Sequence, residues 1–155
     1  MTTIRHARFP ADTAAVLGIW REYIESPSVR LDYQDYEAEF ADLPGKYASP
    51  AGRLLVAERF GTLEGCVALR KVTAEICEMK RLYVRPRARG LSIGLGLVEQ
   101  LIAEAKAQGY AEMRLDVLAE FGKARALCCK MGFVAADPVT FNPLPGTAFL
   151  GLRLD

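Results

Sequence analysis

The run LYVRPRARGLSIGLG over residues 82–96 carries the side chains and spacing best suited to chemistry. An extended stretch passes through a short basic turn into a helix whose first turn holds Gly90, Gly94 and Gly96. Small residues there leave backbone N–H groups open, and a helix N-terminus with unpaired donors and a partial positive charge attracts an anion. Arg85, Arg87 and Arg89 add full charges beside it. Together these features predict a bound phosphate or pyrophosphate. The competing reading is a solvated basic turn followed by glycines that serve helix packing. Two familiar phosphate loops do not fit. A GxGxxG pattern beginning at Gly94 requires glycine where Glu99 stands, and a Walker loop requires a Gly-Lys-Ser/Thr triplet that the chain lacks.

Metal chemistry has little to work with. Cys66, Cys77, Cys128 and Cys129 show neither CxxC nor CxH spacing, and His6 is the single histidine, so no metal site is expected. Lysine and arginine total 20 against 19 acidic residues, a formal net charge of +1, which gives no global argument for nucleic acid or an anionic membrane as partner. The opening MTTIRHARFPADT lacks the apolar core of a secretory signal, and no run approaches the ~20 apolar residues of a membrane span. A reduced, cytoplasmic protein without disulfides is expected. At 155 residues, 51% hydrophobic and 25% charged, the composition is that of one globular domain over residues 1–155. Roughly 70% of the unfolded surface can be buried at this size, enough for folding without a staple.

The elements that must position the basic turn follow from periodicity. The first residues alternate weakly around Ile4, and Asp12 is placed to cap a helix with Val16, Ile19, Trp20, Tyr23 and Ile24 on one stripe, ended by Pro27. Residues 28–42 are acidic and aromatic and predict a second helix. Short apolar runs at 54–57 and 66–69, with a glycine-containing turn between, predict a hairpin, and 76–84 a further strand closed by Pro86. From Gly90 to Gly109 the pattern is helical, with Val98, Leu101, Ile102 and Ala105 on the apolar side. A strand at 113–118, a helix at 122–131 and two closing strands at 133–139 and 149–154 complete the order β-α-α-β-β-β-α-β-α-β-β, a mixed α/β sheet.

The run R-G-x-S-I-G-x-G-L at residues 89–97, preceded by L-Y-V-x-P and followed later by Met131-Gly132-Phe133, resembles the GNAT superfamily of acyl-CoA-dependent N-acyltransferases. Their pyrophosphate signature is Q/R-x-x-G-x-G/A, and Ser92 stands here for its first glycine. The resemblance implies a central, mostly antiparallel sheet flanked by helices and acetyl-CoA as co-substrate. Leu82, Tyr83 and Val84 would pair with the pantetheine arm. Arg87, Arg89, Gly90, Leu91, Ser92, Ile93 and Gly94 would surround the pyrophosphate, with Gly96 permitting close approach. A glutamate on the same strand commonly removes the proton from the attacking amine, and that position corresponds to Glu78. Strand alternation would put Glu78 on the face of Leu82 and Val84 unless a bulge intervenes. Lys80 shares that face and would favour the ionised carboxylate. The alternative for Glu78 is a rim ion pair with Lys80 or a nearby arginine.

Relatives commonly carry a tyrosine, the proton donor to the departing thiolate, where this chain has Cys128. An unperturbed thiol has a pKa of about 8.5, which does not bar proton transfer. Cys128 acting through water, Tyr83 or Tyr110 in its place, or no general acid at all remain open. A nucleophilic Cys128 would need His6, the single candidate base. On the acceptor side, Asp32, Asp35, Glu37, Glu39 and Asp42 form an acidic lip or a solvated helix face, while Tyr33, Tyr36 and Phe40 predict a buried stripe. The segment FNPLPGT at 141–147 resembles a loop of bacterial small-molecule GNAT proteins that walls the acceptor pocket, with Asn142 as a polar contact. The function implied is acetyl transfer to the primary amine of a small molecule, with a homodimer as candidate assembly. Two rivals stand beside it: an acyl-CoA-binding module with little turnover, and a protein lysine or N-terminal acetyltransferase.

Overall fold

The computed structural model describes residues 1–28 and 36–155. Its elements are β1 (Thr2–His6), α1 (Thr13–Glu25), α2 (Tyr36–Ala41), β2 (Arg53–Arg59), β3 (Thr62–Lys71), β4 (Ile76–Val84), α3 (Ile93–Gln108), β5 (Glu112–Val117), α4 (Gly122–Lys130), β6 (Val134–Ala135) and β7 (Ala148–Arg153). The seven strands form one sheet in the order β1-β2-β3-β4-β5-β7-β6. Every strand pair is antiparallel except β4 with β5. This is the mixed α/β architecture that the periodicity predicts.

Two apolar layers cover the sheet. On one face Val16, Ile19 and Trp20 of α1 pack with Phe40, Tyr47, Val56, Cys66 and Ala68. On the other, Leu97, Val98 and Leu101 of α3 and Cys128 of α4 pack with Leu55, Val67, Met79 and Leu115. The two stripes at helical spacing are therefore the inner faces of α1 and α3. Each fully buried aliphatic or aromatic side chain among them stabilises the fold by about 1.5–3 kcal/mol. α3 stops where Gly109 takes φ +97° and its N–H reaches back to the carbonyls of Ala105 and Lys106.

Several expectations change locally. Asp12 precedes α1 but does not cap it; its carboxylate is held by Arg5 at 2.7 Å and by the Arg8 N–H at 2.7 Å. The strand expected over 133–139 is only the two-residue β6, because the chain leaves the sheet after Ala135. Of the acidic, aromatic second helix, Arg30, Asp32, Tyr33 and Asp35 lie outside the described residues. The rest of the stripe is as expected: Tyr36 meets Phe40 at 5.5 Å between ring centroids, and Phe40 meets Trp20 at 5.6 Å. Glu39, in contrast, is no part of an exposed lip. Its side chain is only 8% exposed, and accepts from Tyr47 at 2.9 Å and from Arg81 at 2.8 Å.

Two irregularities in β4 shape everything that follows. Cys66 stands opposite Tyr83, but Ala68 stands opposite Lys80, so Arg81 and Leu82 together face Val67 alone. This is a β-bulge, and Arg81 adopts φ +61° to make it. Beyond the bulge the side chains swap faces: Leu82 and Val84 join the α3 layer and Tyr83 the α1 layer. The second irregularity is on the other side of the strand. β4 and β5 stay in register only from Ile76 opposite Glu112 to Glu78 opposite Arg114. Past that point the two parallel strands diverge, and the sheet splits.

Candidate active site

The split exposes a strand edge. On its β3 side β4 remains paired as far as Val84, opposite Gly65, but past Glu78 it has no strand partner on the β5 side. An extended molecule can add to such an edge as a strand does. Leu82, Tyr83 and Val84 lie on this segment, with the side chains of Leu82 and Val84 turned into the α3 core.

That edge runs directly into the turn before α3. Gly90 takes φ +84° and Ser92 φ +61°, a left-handed N-cap whose side chain makes no capping hydrogen bond. Leu91 and Ser92 are exposed, Ile93 is buried beneath them, and the first amides of α3 lack a side-chain partner. Such a terminus holds partial positive charge and free donors, which suits an anion of several oxygens.

The three arginines are not equivalent there. Arg87 is turned away and forms a two-pronged pair with Glu64 of β3 at 2.5 and 2.9 Å. Arg85 binds the Leu63 carbonyl at 3.0 Å and Glu22 at 3.0 Å. Arg89 donates Nε to the Val84 carbonyl at 2.9 Å and lies over the Tyr83 ring, and among the described residues its charge has no carboxylate partner beside the cradle. Gly94 is in ordinary contact range of Leu127. A Cβ at Gly96 would stand 2.8 Å from the Cδ1 tip of Ile4 of β1, a contact that a rotamer change of Ile4 relieves.

Further along the split is a cleft, open to solvent and lined by Tyr23, Lys80, Arg81, Leu82, Asp116, Leu118, Phe121, Cys128 and Asn142 among others. Cys128, from α4, is nearly inaccessible, and burial pushes its thiol up to about 11. The Asn142 amide donates to Asp116 at 2.7 Å, which ties the 141–147 loop to β5 and makes it a wall of the cleft. Tyr110 is not available here, since its hydroxyl donates to the Ala51 carbonyl at 2.7 Å. His6 sits on the edge strand β1 within 2.8 Å of Glu104, so it is no partner for Cys128.

Glu78 occupies an unexpected place. The bulge puts it on the α1 face, opposite to Leu82 and Val84. It is fully buried, and it is held by Arg70 directly across the β3–β4 pair at 2.6 Å and by the Thr140 hydroxyl at 2.6 Å. Its partner is thus Arg70 and not Lys80. Among the described residues, the carboxylate that lines the cleft is Asp116, which the sequence did not single out; only the β4–β5 register brings it to Lys80. Tyr23, expected as part of the buried α1 stripe, also reaches this wall. Among the described residues, no group of three or more His, Cys, Asp or Glu could hold a metal ion, and no helix is long and apolar enough to cross a membrane.

Comparison with known proteins agrees with this geometry. The acetyltransferase (GNAT) family model matches residues 16–133. An uncharacterised N-acetyltransferase of Schizosaccharomyces pombe is 35% identical over 154 residues, covering 98% of this chain and 94% of that protein. Among solved structures, a GNAT-family acetyltransferase from Staphylococcus aureus superposes with a TM-score of 0.84 at 17% identity, covering all of both chains. The PaiA N-acetyltransferase of Thermoplasma acidophilum, solved with coenzyme A, superposes with a TM-score of 0.79 at 18% identity over 99% of each chain. A split sheet with an uncapped helix at its mouth, matched end to end by these relatives, places the chain in the GNAT family of N-acetyltransferases.

Proposed function

We propose that this protein transfers the acetyl group of acetyl-CoA to the primary amine of a small molecule. The observation that carries the proposal is the continuity of the open β4 edge with the uncapped start of α3. A pantetheine arm has amide groups that pair with a strand edge, and its diphosphate suits the amides of residues 90–94 with Arg89 beside them. Arg87, neutralised by Glu64, takes no direct part. Bound there, acetyl-CoA supplies an activated acyl group as a thioester.

The chain's own groups then do four things. A free backbone N–H of the β4 edge near Val84 polarises the thioester carbonyl. Asp116 receives the amine's proton as the new N–C bond forms and the C–S bond breaks. Glu78, locked by Arg70 and Thr140, acts from behind through its field on Lys80. Cys128 stays protonated at neutral pH and donates a hydrogen bond to the departing sulfur, which takes its proton from water. The Asn142 wall of the cleft favours a small acceptor over a polypeptide segment.

The test is direct. Purified protein is mixed with acetyl-CoA and a panel of amines, and free thiol is followed. Amine-dependent release supports transfer. Thermal stabilisation by coenzyme A with no release on any amine identifies a binding module instead. Release only with lysine-containing peptides identifies a protein-directed enzyme.

A further inference from the structure

Two opposite charges meet at one level of the split without neutralising each other. The β4–β5 register ends with Glu78 opposite Arg114, so two residues further along each strand bring Lys80 and Asp116 across the gap from one another. Both line the cleft. Lys80 makes no hydrogen bond or ion pair with any described residue. Burial pushes its ammonium below the ordinary lysine range, and the fields of Glu78 and Asp116 work against that fall. A cation held partly out of water, with no direct counter-ion among the described residues, is relieved when an anion arrives. Asp116 has one oxygen on the Asn142 amide and keeps acceptor capacity for a second donor. The cleft's other cation, Arg81, is taken by Glu39 at 2.8 Å. The remaining wall is largely aromatic or aliphatic, with Tyr23, Leu82, Leu118 and Phe121.

Resting on the transferase reading above, we propose that the acceptor is a zwitterion: an amine that also carries a carboxylate, the carboxylate held by Lys80 and the amine presented to Asp116. The pair selects such a molecule by charge complementarity, since each end of it meets the opposite sign and neither protein charge is left buried alone. A simple alkylamine satisfies only Asp116 and leaves Lys80 as it was. Free amino acids are the chemical class that fits.

The experiment sets each of the common L-amino acids against its carboxamide and its decarboxylated amine, with acetyl-CoA and thiol release as readout. For the best acceptor, kcat/KM is expected to exceed that of both analogues by about tenfold or more, the worth of one charged hydrogen bond. In Lys80→Gln that ratio collapses toward one, mainly through KM, whereas Lys80→Arg retains most of it. Equal use of acid and amide by the wild type overturns the inference, and so does a Lys80→Gln ratio that stays at the wild-type value. If Lys80→Gln fails to fold, shown by loss of the thermal shift with coenzyme A, the wild-type ratio decides alone. Release that ignores the carboxylate sinks this inference and leaves the transferase reading intact. No release from any amine, despite stabilisation by acetyl-CoA, overturns that reading and this one with it.

Discussion

The guanidinium of Arg81 meets the carboxylate of Glu39 at 2.8 Å, with both side chains almost entirely out of water. The contact ties α2 to the bulge of β4, and Arg81 also lies over the rings of Trp20 and Tyr23. Burial alone would raise Glu39, but Arg81, Tyr47 and Lys46 outweigh it and hold the carboxyl below its ordinary range. Removing the negative charge takes this carboxylate from a buried cation, so Glu39→Gln is expected to destabilise the protein by about 3 kcal/mol, measured by urea unfolding. The pH dependence has a definite sign. A depressed carboxyl contributes stability that is complete above its unfolded value and lost as pH falls through the folded one. Wild-type stability should therefore drop below about pH 4.5, and Glu39→Gln should flatten that drop.

Proton transfer separates two carboxylates. Asp116→Asn is expected to lower kcat/KM about a hundredfold, the low end of general-base contributions, with little change in melting temperature. Glu78→Gln, which loosens the Arg70 and Thr140 contacts, should lower the melting temperature and reduce kcat/KM less than tenfold. Steady-state kinetics beside thermal unfolding distinguish the two, and the reverse ranking would return the base to Glu78.

The cofactor cradle makes an equally sharp distinction between arginines. Arg89→Ala removes the cation beside residues 90–94 and should weaken coenzyme A binding about tenfold, with a shallower salt dependence. Arg87→Ala removes a charge already matched by Glu64 and should change the affinity less than threefold. Isothermal titration at two salt concentrations reads both.

Thiol accessibility checks the placement of α4. Cys129 is exposed, whereas Cys66, Cys77 and Cys128 are buried and their thiols are pushed up to about 12, 12 and 11. At pH 8 one thiol per chain should react promptly with a disulfide reagent, and all four only after unfolding. Cys128→Ala should retain folding and lose less than tenfold in kcat, because a hydrogen bond to the leaving sulfur is all that it supplies.

The helical stripes of α1 and α3, the hairpin strands and the glycine-rich entrance to α3 were legible because each is a local pattern. Gly90 marks its left-handed turn in the usual way, and Gly109 its helix end. Arg81 does neither: a positive φ at arginine has no signature, so alternation carried Glu78 to the wrong face. Lys80 and Asp116 lie far apart in the chain and meet through a parallel register that no short window contains. The neighbours of Arg87 and Gly96, Glu64 and Ile4, likewise reach them from distant strands.

The divergence of β4 from β5 also bears on handling the protein. A bare strand edge in the middle of a sheet is a template on which foreign chains can nucleate, and the guards along residues 79–84 are the Arg81 bulge and the Lys80 charge. Occupation by a nucleotide thioester would shield that edge. Preparations stripped of such a ligand should scatter more light on warming or long storage than those kept with it, whether or not an acceptor is ever supplied.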